Sequence, residues 1–201
     1  PVRSARPEGP TSSLMAVALE PKQLRCAGVI AIVGAAFAVL FVLHQPFAIE
    51  LGMQRLSLFF IAYTAMALIV RLGMGPFVDR IGHSRVAVFS LALYAIGVTL
   101  TMDLGEIGLV PVGGLLGLAH GFFYPSFNAI AVEGAAEHER GKIMSVFQAW
   151  FVAGGALGTL VLGELAHEAG YYLVFAVTGL ATFAALGFLI VSPEGRAAFR
   201  R

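Results

Sequence analysis

Six long apolar runs separated by short polar breaks decide what this chain can become. They cover residues 27–49, 56–72, 86–102, 107–132, 143–162 and 171–191. A helix crossing a hydrocarbon core needs about 20 predominantly apolar residues, with about 17–25 tolerated. Each run qualifies, although the second and third are short and must stand with little tilt or borrow flanking residues. The runs are continuous and do not alternate, which excludes the strands of a membrane barrel. The sequence therefore predicts an all-α membrane protein with six transmembrane helices. Composition agrees, because only 12% of the 201 residues are charged, against about 25% in a soluble domain. The basic residues are scattered between apolar runs instead of clustering with aromatics on one face, so nucleic acid is excluded as a partner.

Charge placement sets the direction of the spans. Twelve of the thirteen basic residues fall in the N-terminal segment, the second connection, the fourth connection and the C-terminal tail. The other side holds Arg55 alone, together with Asp103, Glu106, Glu164 and Glu168. By the positive-inside rule both termini are predicted to be cytoplasmic, in the inner (cytoplasmic) membrane. Residues 1–25, rich in proline, serine and charge, read as a cytoplasmic linker, 26–192 as the bundle and 193–201 as a basic tail. The linker lacks the ordered charge, apolar core and cleavage site of a secretory signal. The lone Cys26 excludes an internal disulfide and any multi-cysteine metal site. It reads as a small apolar residue at a span boundary.

The second connection is too well furnished for a plain loop. It reads GMGPFVDRIGHSR over residues 73–85. Gly75 and Gly82 are expected to allow a tight reversal at positive backbone angles. Asp79 is expected to accept backbone N–H bonds at a helix start, where the dipole favours negative charge. Arg71, Arg80 and Arg85 can reach phosphates or neighbouring acids. A basic loop that merely orients the spans would explain the arginines but not an acid between two spaced glycines.

The run Gly75, Asp79-Arg80, Gly82-His83, Arg85 resembles the G-x-x-x-D-R-x-G-R/H-x-R signature of the major facilitator superfamily. In that family the signature joins the second and third helices of each six-helix half on the cytoplasmic side, and here it joins the second and third spans on the predicted inner face. The fourth-span stretch GLAHGFFYPSF and the stretch EHERGKIMSVFQAWFVAGGALG resemble drug and sugar efflux members, and the likeness is to their C-terminal half. The resemblance implies half of a twelve-helix fold, rocker-type alternating access and coupling to a proton gradient. It also implies that Asp79 latches this half to an N-terminal six-helix half, in the same or a separate chain, when the cytoplasmic side closes. The implied activity is proton-coupled efflux of a small-molecule substrate, with lipid as the surrounding medium. A truncated or accessory six-helix protein without transport of its own is the alternative.

Small residues mark where helices approach, since lipid supplies no hydrophobic drive between them. Gly113, Gly117 and Gly121 recur at four-residue spacing in the fourth span, and Gly154 and Gly158 in the fifth. These predict tight packing faces. A second face of the fourth span carries His120, Tyr124 and Asn128 at the same spacing, a polar stripe near mid-span. Pro125 lies within it and can kink the helix. Polar groups at that depth face a cavity or the bundle interior, and transporter sites gather beside broken helices at the midplane. The stripe is therefore a candidate substrate pathway, with His120 able to carry a proton. A histidine hydrogen-bonded to a neighbouring helix is the competing explanation. His44 and Gln45 join the candidates because Pro46 can open the first span there, against an interfacial histidine near headgroups. Gln148 and Trp150 are weaker, and Trp150 also suits a membrane-belt anchor.

Enzyme chemistry finds no support. Ser126 follows a proline without a glycine-framed turn, and the last span holds no histidine to serve as its base. There is no pair of membrane aspartates, and the five histidines lie at differing depths, so neither a catalytic residue nor a metal or cofactor site is expected. No G-x-x-x-x-G-K-[ST] loop is present. No Asp, Glu, Lys or Arg lies deep in a span, so any carboxylate relay would belong to a companion half. Phe122, Phe123 and Tyr124 suit a lipophilic or weakly polar solute.

Overall fold

The computed structural model describes residues 13–199. Most of the expected linker, including Arg3 and Arg6, and the end of the basic tail, Arg200 and Arg201, lie outside the described residues. Within them a short helix α1 (Leu14–Ala18) begins where the Ala16 N–H donates to Ser13 Oγ at 3.1 Å. The first span then starts at Pro21, six residues before the apolar run suggests. Proline at the first helical position presets the backbone angle and gives up an N–H that has no partner there anyway.

This first span comprises α2 (Pro21–Ala38), a π-helical turn (Val39–Leu43) and α3 (His44–Glu50). Pro46 does not open the helix as expected. The backbone widens just ahead of it, and the His44 N–H donates five residues back to the Val39 carbonyl. Such single wide turns absorb a local mismatch without breaking the rod.

The second span, α4 (Ser57–Gly73), is 17 residues long, about 26 Å at 1.5 Å per residue. It bends by 69° at Met74 into α5 (Gly75–Ile81). Then follow α6 (His83–Leu100), α7 (Leu109–Val132), α8 (Glu137–Ala169), α9 (Tyr171–Val191) and α10 (Pro193–Arg196). The rod from α2 to α3 and the helices α6 to α9 are long and apolar enough to cross a membrane, and α4 with its bent continuation is a sixth candidate if the pair is counted as one span. The chain is thus an all-helical, multi-pass membrane protein.

Two close helix pairs form the frame. α2 lies along α8 and α4 along α7, with α6 and α9 packed behind them. Glycine makes both approaches feasible. A Cβ at Gly154 would overlap the Ala31 carbonyl, and one at Gly34 the Phe151 carbonyl. Gly158 fits against Ala35, Gly113 against the Phe59 backbone, Gly117 against the Tyr63 backbone and Gly121 against Val70. All five predicted packing glycines therefore sit at helix–helix contacts, consistent with small residues letting backbones close. Three buried hydroxyls are satisfied locally, as Ser90, Thr178 and Thr182 each donate to the carbonyl four residues back. Large apolar side chains such as Leu157, Leu160 and Val161 on α8 point outward, as a lipid-facing surface requires.

One end of the bundle is fastened by polar bonds. The Arg25 guanidinium donates three hydrogen bonds to Glu194, at 2.6, 3.1 and 3.2 Å, closing the start of α2 onto α10. Gln23 Nε2 donates to the Ala131 carbonyl at 3.1 Å and Lys22 Nζ to the Glu133 carbonyl at 2.7 Å, joining α2 to the end of α7. Burial alone would raise the Glu194 carboxyl, but its bonds to Arg25 outweigh that and hold it below the usual glutamate value.

Candidate functional site

Between α2, α4, α7 and α8 lies an aromatic chamber built around His120. The ring is 6% exposed. It stacks on Tyr124 at 5.6 Å with planes 23° apart, and Phe37, Tyr63, Tyr94 and Phe151 surround it at 5.2–6.4 Å. His120 Nδ1, Tyr63 OH and Tyr94 OH have no hydrogen-bond partner among the described residues. Unpaired polar atoms at such depth are costly and call for a functional reason. The competing explanation, a histidine hydrogen-bonded to a neighbouring helix, finds no such bond at Nδ1 among the described residues.

The expected stripe turns toward α8. Tyr124 OH donates to Gln148 Oε1, so two separately proposed pathway residues form one unit across the α7–α8 gap. Asn128 lies one turn further on, half-buried, with its Oδ1 unpartnered. α7 runs unbroken through Pro125 as one helix of 24 residues. A groove of about 280 Å³ opens beside the chamber, lined by Phe37, Tyr63, Thr64, Arg71 and His120 among others.

His44 belongs to a different nest. It is fully buried among Phe59, Phe60 and Phe175 at 4.5–6.4 Å, and neither ring nitrogen has a partner among the described residues. That placement contradicts an interfacial histidine near headgroups. Gln45 follows it in sequence but points to the exposed side of α3, so the structure does not join the two.

The signature segment differs from a simple loop. Gly82 has φ +98°, the positive angle expected of it, and there the chain turns into α6. Gly75 does not share this role. It opens α5 without a positive angle, because the reversal is made by the 69° bend at Met74 and by Gly82. Asp79 caps no helix. It lies within α5, three residues ahead of the α6 N-cap, its side chain is 76% exposed, and its Oδ1 is 4.0 Å from His83 Nε2. Arg80 is exposed beside it, while Arg85 Nε donates to the Ala198 carbonyl at 2.8 Å and so ties α6 to the chain's end. Among the described residues no group of three His, Cys, Asp or Glu is placed to hold a metal ion.

Phe37, Tyr63 and Phe151 carry much of the chamber, yet the sequence did not mark them as site residues. An apolar residue inside an apolar run carries no polar contrast. The available signal was the four-residue spacing of Phe37 with Phe41 and of Phe147 with Phe151, which places each pair on one helix face.

Comparisons with known proteins agree with this architecture. The family model of the Major Facilitator Superfamily matches residues 26–200. "Probable anion transporter 5" of Arabidopsis thaliana is 30% identical over 128 residues, 63% of this chain and 29% of that protein. "Probable anion transporter 4, chloroplastic" of the same plant is 27% identical over 112 residues, 54% of this chain and 21% of its own length. The chain thus matches less than a third of either relative. A crystal structure of the peptide transporter POT in complex with sulfate superposes with a TM-score of 0.68 at 17% identity, covering 92% of this chain and 42% of that one. The fold is therefore shared with less than half of that chain. With the family match running over nearly all of the bundle, the chain belongs to the Major Facilitator Superfamily, a family of membrane transporters and not of enzymes.

Proposed function

We propose that this chain is the C-terminal half of a secondary transporter that moves a small solute by alternating access, in exchange for protons and in the direction of efflux. The observation that carries the proposal is the His120–Tyr124–Gln148 group, polar and near mid-span, held across two helices with an unpartnered nitrogen. An imidazole is the side chain whose ordinary titration falls closest to neutral pH, so it can take up and release a proton during a cycle. The resemblance to drug and sugar efflux proteins supports the outward direction. The names of the two plant relatives favour a solute that bears negative charge.

The exposed Asp79 carboxylate on α5 is positioned to engage a companion half, as a latch requires. The excess of basic residues on that side supports a cytoplasmic location for α5 and for both termini. Flux measured in proteoliposomes under an imposed pH gradient tests the proposal. His120→Ala is expected to abolish the response of flux to the gradient while leaving membrane insertion unchanged. Unaltered flux with unaltered pH dependence removes the proton role.

A further inference from the structure

The groove beside His120 carries a cation that the proposal above leaves unused. Arg71 sits in the last turn of α4 and lines the groove of about 280 Å³ together with Tyr63, Thr64 and His120. Tyr63, Thr64, Ala67 and Arg71 share one face of α4 by their spacing, so the helix presents them along one wall. Tyr63 is 5% exposed and His120 6%, and the Tyr63 hydroxyl and His120 Nδ1 are both unpartnered among the described residues. Among those residues Arg71 has no hydrogen bond or ion pair either, and no Asp or Glu lines the groove. An arginine at a helix end can simply offset the helix dipole or extend toward water. Either role would leave it away from the chamber. Arg71 is exposed at one end, yet it lines the same groove as Tyr63 and His120.

We propose that this groove is an oxyanion subsite, in which the Arg71 guanidinium holds a carboxylate or phosphate group of the solute and the Tyr63 hydroxyl donates to it. The guanidinium fork matches two oxygens of such a group through paired charge-assisted bonds. The volume suits a small anion, since pockets for drug-sized ligands run from about 300 Å³ upward. This inference rests on the transport reading for its purpose, though not for its binding chemistry.

Binding without a gradient separates the two. The protein is placed in phosphatidylcholine nanodiscs, and its thermal stabilisation is titrated with benzoate, inorganic phosphate and benzamide, the neutral counterpart of benzoate. At least one oxyanion is expected to stabilise it and benzamide is not. Arg71→Gln is expected to weaken that binding about tenfold or more, and Arg71→Lys to weaken it less. Should Arg71→Gln fail to fold, judged by ligand-free melting, Tyr63→Phe reads the same groove and is expected to weaken binding severalfold.

Equal stabilisation by benzamide, no shift with either oxyanion, or unchanged affinity in Arg71→Gln overturns the subsite. Loss of all anion binding when phosphatidylglycerol is added also overturns it, because a lipid headgroup then occupies the groove. Anion binding without transport contradicts the transport reading and leaves the subsite standing. Transport of a neutral solute untouched by Arg71→Gln does the reverse.

Discussion

Gly117→Ala offers the sharpest probe of the packing, because Gly114, three residues away on the same helix, supplies its control. A Cβ at Gly117 would overlap the Tyr63 carbonyl oxygen and lie 2.8 Å from its carbon and 2.9 Å from its Cα, all backbone atoms that cannot swing aside. The oxygen is the nearest of these atoms, and restoring an ordinary contact to it moves α4 and α7 apart by about 1 Å, a gap that forfeits about half of each dispersion contact nearby. Overpacking of this kind costs about 1–3 kcal/mol. A Cβ at Gly114 meets nothing within 4 Å. Both substitutions gain the same helix propensity of alanine over glycine, about 1 kcal/mol, so it cancels between them. Gly117→Ala is therefore expected to be less stable than Gly114→Ala by about 1–3 kcal/mol, or about 2–4 °C of melting temperature per kcal/mol for a chain of this size. Melting of the purified variants in lipid nanodiscs reads the difference. Equal melting of the two variants, or greater damage at Gly114, would refute the close α4–α7 approach.

Other substitutions probe separate parts of the molecule. Glu194→Gln is expected to cost about 1.5–3 kcal/mol at neutral pH, the worth of hydrogen bonds to a charged group. Because the folded Glu194 lies below its ordinary value of 4.5, its contribution is present above that pH and is lost as acid protonates it, so the variant should show a flatter loss of stability on the acid side. Asp79→Asn is expected to lower transport while changing stability by less than about 0.5 kcal/mol, since the side chain is largely exposed; transport rates beside melting curves check both halves of that statement. Tyr124→Phe removes the bond to Gln148 and should slow flux with a stability change of about 1 kcal/mol, read in the same two assays.

Much of the fold was legible because a hydrocarbon solvent leaves so few choices. Backbone polar groups must pair within the segment, so six apolar runs without barrel alternation give six helices. The ends were harder. The fifth run appears to the eye as 143–162, yet α8 extends over Glu137–Ala169 because Glu137, Glu139, Arg140, Lys142, Glu164 and Glu168 stop the hydropathy without stopping the helix. Acids in its first turn favour the helix start. The packing glycines were readable because close approach has a residue-level signature at four-residue spacing.

The site was readable only where polarity stood out against apolar surroundings. His120 and Tyr124, placed on one face by their spacing, lie against Gln148 of the next helix, whereas Gln45 does not follow His44, since adjacent residues on a helix point about 100° apart. The Arg25–Glu194 bond joins residues 169 apart in sequence, a distance at which no local pattern signals contact. In the signature segment, residue types named the turn but not its geometry. The 69° bend between α4 and α5 together with Gly82, and not Gly75, makes the reversal.

The central claim is that the segment bearing Asp79 and Arg80 meets the cytosol, where it can clasp a companion half. Cysteine labelling tests it most directly. The native Cys26 is 3% exposed and can be replaced by serine to give a silent background. In that background Arg80→Cys and Ile107→Cys place single thiols at opposite ends of the bundle, Ile107 being 95% exposed. A membrane-impermeant maleimide added to intact cells is expected to label position 107 and to reach position 80 only after the cells are opened. Labelling of position 80 in intact cells, with position 107 protected, would contradict the account.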